Sequence, residues 1–239
     1  MRVAVVTPFH DARSGWLAQC HASVRAQTHA CRHLLVADGA GLAPPAAFDG
    51  QFLQLGHAHA DYGDTPRAAG SLSAVAQGFE AIAYLDGDDW LQPDHVAGLV
   101  ELHRRTGCAA AYSGVTFCDT AGAALGGSSG FPLRSAYACC LVAGPALRLL
   151  ALWALMPPRF HVIGDRWMYE RFRAGGLQVA EHAAESYCYR TRWGDHYRHF
   201  GRPLPPDAKP AAHAREVNAR VAELPAFFAR RAAARQPSS

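Results

Sequence analysis

The sequence predicts an α/β fold with a mostly parallel central sheet flanked by helices. Three observations lead there. Short runs rich in β-branched and aliphatic residues, such as Val3–Thr7, His33–Ala37 and Ala81–Leu85, recur through the first part of the chain. Between them lie segments whose apolar residues repeat at helical spacing, as Leu17, Cys20 and Val24 do. Three of the short runs also end abruptly in polar residues, at Thr7–His10, at Asp38 and at Asp86–Asp89. In a parallel sheet, ligands bind at the carboxyl ends of strands, so these ends are where chemistry is expected.

Taken in order, Val3–Thr7 is a buried strand closed by Pro8, and Ser14 is placed to cap the helix that follows. His33–Ala37 is a second strand ending at Asp38-Gly39, and Phe52–Leu55 a third, followed by the polar loop His57–Gly63. Pro66–Gln77 is a helix of small residues, with Leu72, Val75 and Ala76 as its expected buried face and Gly78 as its stop. Ala81–Leu85 is the fourth strand, and Pro93 opens a helix whose apolar face is Val96, Leu99, Val100 and His103. Beyond Gly107 the rhythm loosens. Ala109–Phe117 and Tyr137–Val142 read as strands around a small-residue turn region, Gly122–Gly130. A helix starts near Gly164-Asp165 and stops at Gly175-Gly176, Val179–Arg190 is a strand with Glu181 and Glu185 facing water, and Ala211–Ala233 is a final helix.

Bulk properties narrow the function classes. The 239 residues are 50% hydrophobic and 18% charged, the balance of a packed enzyme rather than a disordered chain. A formal net charge of +3, with no basic stripe interleaved with aromatics, argues against nucleic acid as a partner. The apolar start is cut short by Pro8, too short for a signal-peptide core, and Tyr137–Met156 carries Gly144-Pro145 and Arg148. A membrane span needs about 20 apolar residues without a central charge, so no transmembrane segment is expected. The seven cysteines form no CxxC pair, which points to reduced thiols and a cytoplasmic location. Arg230, Arg231 and Arg235 leave a peripheral membrane contact open beside the plainer reading of a solvated helix end.

The sharpest chemical signal is Asp86-Gly87-Asp88-Asp89 at the end of a buried strand. Three carboxylates that close repel and raise one another's pKa unless a cation sits among them. A hard divalent ion with oxygen ligands, Mg²⁺ or Mn²⁺, removes that repulsion and in turn holds phosphate oxygens. The competing structural use is an acidic turn in which Asp89 or Asp94 caps the next helix.

The run Tyr84–Trp90 resembles the acidic metal motif of family 2 glycosyltransferases of the GT-A fold. Four further segments resemble the same family in the same order: Val5–His10, Ser23–Thr28, Leu35–Ala40 and Thr65–Gly78. The resemblance covers Met1 to about Leu102 and thins beyond, where such enzymes carry acceptor specificity. It implies a nucleotide-sugar-binding half over residues 1–106, an acceptor-binding and catalytic half over 107–202, and a helical tail over 203–239.

The resemblance also implies roles. Thr7, Pro8 and Phe9 would shape the nucleotide pocket, and Asp38 would accept a hydrogen bond from a base N–H, uracil being the first expectation. Asp61 and Arg67 would lie near the nucleotide, Asp86 and Gly87 beside the ribose, and Asp88 on a Mn²⁺ or Mg²⁺ ion that holds the diphosphate. The general base of an inverting reaction is expected at Asp165, within Val162–Trp167, where relatives carry Glu-Asp and this chain carries Gly164-Asp165. Asp165 is equally suited to capping its helix. In the loop Tyr189–Tyr197, Arg190 or Arg192 would neutralise the leaving diphosphate and His196 would complete the metal shell. The structural alternative for that loop packs Trp193 and Tyr197 and leaves the arginines to water.

The reaction expected is transfer of a sugar from a nucleoside-diphosphate sugar, a UDP-sugar first, to a glycan, lipid-linked or small-molecule hydroxyl acceptor. Two other readings stand beside it: a sugar-phosphate nucleotidyltransferase and a non-catalytic nucleotide-sugar-binding protein. The former normally needs a glycine-rich, basic loop after the first strand, and Phe9–Gly15 has one glycine and no lysine.

Overall fold

The computed structural model describes residues 1–11, 14–130 and 140–233. Strand β1 (Val3–Phe9) is buried at every position, as an apolar run covered on both faces must be. After helix α1 (Ser14–Arg25), strand β2 (Cys31–Ala37) lies parallel to β1, and β3 (Gln51–Gln54) lies parallel to β2. Helix α2 (Asp64–Ala76) then carries the chain back across β1, where β4 (Ala81–Tyr84) pairs with it in parallel on its other edge. Strand order therefore reverses between β1 and β4. That reversal opens a crevice at the carboxyl ends of these strands, the place where an open α/β sheet binds its ligands.

The remaining elements extend the sheet and cover it. They are β5 (Trp90–Leu91), α3 (His95–Thr106), β6 (Ala110–Cys118), β7 (Ala124–Gly127), β8 (Cys140–Ala143), α4 (Leu152–Leu155), α5 (Gly164–Ala174), β9 (Val179–Arg190), α6 (Gly194–His199) and α7 (Ala211–Ala233). The sheet runs β3-β2-β1-β4-β8-β6-β9-β5, with β7 paired to β6. Strands β8, β7 and β5 pair antiparallel, so the sheet is mixed but mostly parallel. One face packs Val6, Val36, Ile82 and Tyr84 against α2, α4, α5 and α7 through residues such as Ala68, Trp153, Trp167 and Leu224. The other packs Val3, Val5, Ala83 and Leu85 against α1 and α3 through Cys20, Val24, Val96 and Leu99. Helix α7 belongs to this packing: Phe227 lies 5.0 Å from Phe160, and Phe228 lies 5.7 Å from Trp167, ring centre to ring centre.

Three expectations need correcting, and each correction has a physical cause. Leu72, placed on the buried face of α2, is 48% exposed. The face that meets the sheet is instead Ala68, Gly70, Ser71 and Ala74. A Cβ at Gly70 would lie 2.7 Å from a Val6 methyl, so the helix rests on β1 and β2 at a distance that only small residues allow. Hydrophobic periodicity misses a face built by close approach. The region Gly122–Gly130 is not only a turn, because Ala124–Gly127 pairs with β6 and Ser128–Gly130 forms a short 3₁₀ turn. Glu185 helps to hold it there, accepting the Ser129 amide at 2.8 Å rather than simply facing water. Of the strand expected over Tyr137–Val142, residues 137–139 lie outside the described residues, and β8 continues to Ala143.

Candidate functional site

The strand ends build the site. Phe9 and Ala37 are in register across β1 and β2, so the loop after β1 and Asp38 after β2 emerge side by side. The acidic segment after β4 emerges on the other flank. Together they line a cavity of about 270 Å³ that includes Pro8, Phe9, Asp38, Arg67, Asp86, Gly87, Asp88 and Arg192. Eight of the residues expected at the donor site thus converge on one cavity. A second cavity, of about 230 Å³, adjoins it and includes Asp165, His161, Trp193 and His196. Tyr62, Arg67, Asp86 and Lys209 line both, so the two form one cleft with a seam at these four residues.

Three expected donor-site residues lie outside the cleft wall and serve the frame instead. Thr7 is fully buried, and its hydroxyl meets His33 Nε2 at 2.9 Å in the interior. It sits next to Pro8, and alternation along β1 turns the two side chains to opposite faces. Asp61 accepts the Thr65 amide at 2.9 Å and so ties down the start of α2. Arg190 spends its guanidinium on the Asp88 carbonyl and on Gln19 at 2.7 Å, held between Trp16 and Trp90 at 4.7 and 4.9 Å from their ring centres. Of the two arginines expected at the diphosphate, Arg192 is the one on the cavity wall.

Asp38 has two tasks. Its Oδ1 accepts from both the backbone amide and Nδ1 of His59, each at 2.9 Å, and its Oδ2 accepts from the Ala60 amide at 3.1 Å. Burial raises the carboxyl pKa, but these hydrogen bonds outweigh burial and hold it below the ordinary value. The carboxylate therefore stays ionised, anchors the loop before α2, and keeps lone-pair capacity on the cavity side. That loop carries Ala60 and Tyr62 at φ of 55° and 60°, left-handed values that non-glycine residues rarely adopt. Such local strain persists where surrounding contacts enforce it, and here it turns Tyr62 over the seam.

The three acidic residues divide the work. Asp89 is 1% exposed; it accepts the Tyr187 hydroxyl at 2.8 Å and the Arg190 amide at 2.7 Å, clamping the β4 end to β9. It does not cap α3, and Asp94, at the cap position, makes no cap hydrogen bond. Asp86 is paired with Arg67. Asp88 faces the cavity, and burial together with Asp86 raises its pKa. A carboxylate under that pressure is relieved by a cation. A magnesium-like ion shared with a diphosphate needs only one or two protein carboxylates, so Asp88 fits that use. Among the described residues no group of three or more His, Cys, Asp and Glu gathers into a protein-only metal cage. His196 does not join Asp88: it lines the other cavity, with Nδ1 at 2.7 Å from the Thr191 hydroxyl, and burial lowers its pKa to about 4.

The second cavity is organised around Asp165 at the start of α5. Its Oδ1 accepts the Arg166 amide at 2.8 Å, which satisfies one of the orphan amides of the first helical turn. Burial raises its pKa against the opposing charges of Arg166 and Arg67. The Gly164 that precedes it has a clear reason. A Cβ there would lie 2.4 Å from Oδ2 of Asp64, whose buried carboxylate fills that space from α2. Asp64 bonds His161 Nδ1 at 2.8 Å and Arg67 at 3.2 Å, and burial raises its pKa to about 7. Gly164→Ala is expected to destabilise the fold by about 1–3 kcal/mol, the usual range for overpacking, and to displace the Asp64–His161 pair. Denaturant unfolding and the His161 NMR signal check both, and an unchanged pair would mean the backbone yields there.

S. aureus TarS residues 1–349 with UDP superposes with a TM-score of 0.61 at 10% identity, over 93% of this chain and 71% of that one. The chain resembles TarS in fold. A longer S. aureus TarS structure gives 0.60 at 11% identity over 83% of this chain, which spans only 38% of that one. TarS 1–349 with UDP-GlcNAc gives 0.55 at 10% identity, over 83% of this chain and 61% of that one. At such identities the likeness establishes the GT-A type fold alone. No family model and no curated protein matches the sequence. No helix among the described residues is long and apolar enough to cross a membrane.

Several cleft residues escape sequence reading. Asp64, His161, Tyr187 and Lys209 come from a helix start, a 3₁₀ turn, the later part of β9 and the segment before α7, none of which carries a local motif. His161 lies four residues before Asp165, the one spacing that could have drawn attention to it.

Proposed function

We infer that this chain is an inverting glycosyltransferase of the family 2 kind. It moves a sugar from a nucleoside-diphosphate sugar, UDP-sugars first, to a hydroxyl acceptor with Mn²⁺ or Mg²⁺. One observation carries the reading: the two cavities meet at a seam, with Asp38 and Asp88 on one side and Asp165 on the other. That is the layout needed when a hydroxyl attacks one carbon from the side opposite to that from which the diphosphate leaves. The five ordered motif matches support the family, and the TarS structures with UDP and UDP-GlcNAc support the donor class.

In this reading the base lies near Asp38, between Pro8 and the His59–Ala60 turn, and the diphosphate lies toward Asp88 and Arg192. A divalent ion held by Asp88 would supply charge neutralisation to the diphosphate. Asp165, whose carboxyl is made more basic by burial, takes the proton of the acceptor hydroxyl as the new C–O bond forms. Arg67 holds Asp86 and Asp64 at the seam, fixing the floor on which the sugar sits. We place the reaction in the cytoplasm, in keeping with the free thiols of the six described cysteines.

The test is a panel of UDP-, GDP- and dTDP-sugars assayed for release of the nucleoside diphosphate, with Mn²⁺ and after chelation. Metal-dependent release from a UDP-sugar is expected, with water as acceptor if no other is supplied. Saturable binding without release from any donor would leave a binding protein instead.

A further inference from the structure

The segment before α7 reaches the seam of the cleft. The Lys209 amide donates to the Arg192 carbonyl at 2.8 Å, and its ammonium lies 4.3 Å from the centre of the Trp193 ring. Trp193 is itself fixed, its indole N–H donating to the Tyr189 hydroxyl at 3.0 Å. His213, at the start of α7, stacks on Trp193 at 5.0 Å and on Tyr62 at 6.0 Å. The strap is thereby fastened to both walls, and Lys209 is one of the four residues that line both cavities.

The electrostatic surroundings of this lysine are unusual. Burial and Arg192 disfavour its charge, while Asp88, Asp86 and Asp89 favour it at longer range. Among the described residues its ammonium makes no ion pair. A cation beside a second cation, half-buried and unpaired at a cavity wall, matches an anion that arrives with a ligand.

We propose that Lys209 is a phosphate-binding residue of the donor site, delivered to the seam by the C-terminal strap. The proposal rests on the glycosyltransferase reading and adds a residue to it. At the seam the bond from the anomeric carbon to the diphosphate oxygen breaks, and its electron pair leaves with that oxygen. The acceptor oxygen bonds the same carbon, and its proton passes to Asp165. Lys209 and Arg192 then meet the negative charge that develops on the leaving diphosphate, as positioned cations do in phosphoryl sites.

Calorimetric titrations with UDP and with uridine, at fixed Mn²⁺, separate this role from a structural one. Lys209→Met keeps the aliphatic stem against Trp193 and the backbone bond to Arg192. It should weaken UDP about 10- to 100-fold, the size of a lost hydrogen bond to a charged group, and leave uridine unchanged. Lys209→Arg should recover most of the UDP affinity. Unchanged UDP binding by Lys209→Met, with wild-type binding intact, would overturn this proposal alone. Equal weakening of UDP and uridine would also overturn it, because the lysine would then only hold the strap. Failure of the wild-type protein to bind either ligand would overturn the glycosyltransferase reading and this proposal with it.

Discussion

Asp165→Asn is expected to cut turnover of a UDP-sugar by roughly 10²–10⁴-fold, the usual contribution of a general base, while donor binding and stability barely move. The substitution is chosen for what it keeps. Asp165 Oδ1 accepts the Arg166 amide, and an asparagine carbonyl can accept the same bond, so the first turn of α5 stays satisfied. What is lost is the ability to take a proton. Burial raises the carboxyl pKa, so the wild-type rate should fall as pH drops through a value higher than that of an ordinary aspartate. The variant should lack that limb of the profile. Product release measured across pH, beside thermal melts of both proteins, reads all of this. Wild-type turnover in the asparagine variant would reduce Asp165 to a residue that only secures its helix.

Arg67→Met is expected to lower stability by about 3–5 kcal/mol, the range for stripping one partner from a buried ion pair. The guanidinium bonds Asp64 at 3.2 Å, the Tyr62 carbonyl at 2.9 Å and Asp86, and it stacks 5.3 Å from the Trp153 ring centre. Methionine replaces the stem and none of the donors. Asp64 is 1% exposed and would keep only His161 as a cationic partner. Its pKa, already raised to about 7, should rise further in the variant. A carboxyl whose folded pKa lies above its unfolded value stabilises the fold while protonated, and that contribution is lost as pH rises through the folded pKa. The loss caused by the substitution should therefore be larger at pH 8 than at pH 5, because at the lower pH Asp64 is neutral and misses its partner less. Denaturant unfolding at the two pH values gives the comparison. A loss independent of pH would mean that Arg67 acts mainly through Asp86 and Trp153.

Much of the site is legible in the sequence, because its first half is built from strand ends that carry short local signatures. Asp38 and Asp86–Asp89 can be placed from the apolar runs that precede them, and the parallel sheet brings those ends together. The misses have a different origin. Thr7 and Arg190 sit in the right segments but face the wrong way, since a strand turns neighbouring residues to opposite sides and a cation finds the nearest aromatic pair. Asp64 and Gly164 explain each other, a carboxylate from α2 filling the space above the glycine that opens α5, far along the chain. No periodicity contains that contact. Lys209 belongs to a segment whose composition suggests only a tail, and its place follows from the bond to Arg192 and the stack on Trp193.

On the reading proposed above, the cleft at the ends of β1, β2 and β4 receives a nucleoside diphosphate. Titration calorimetry of UDP into the wild-type protein in the presence of Mn²⁺ tests it most directly. Saturable binding at one site per chain is expected. No saturable binding of UDP, GDP or dTDP under those conditions would contradict it.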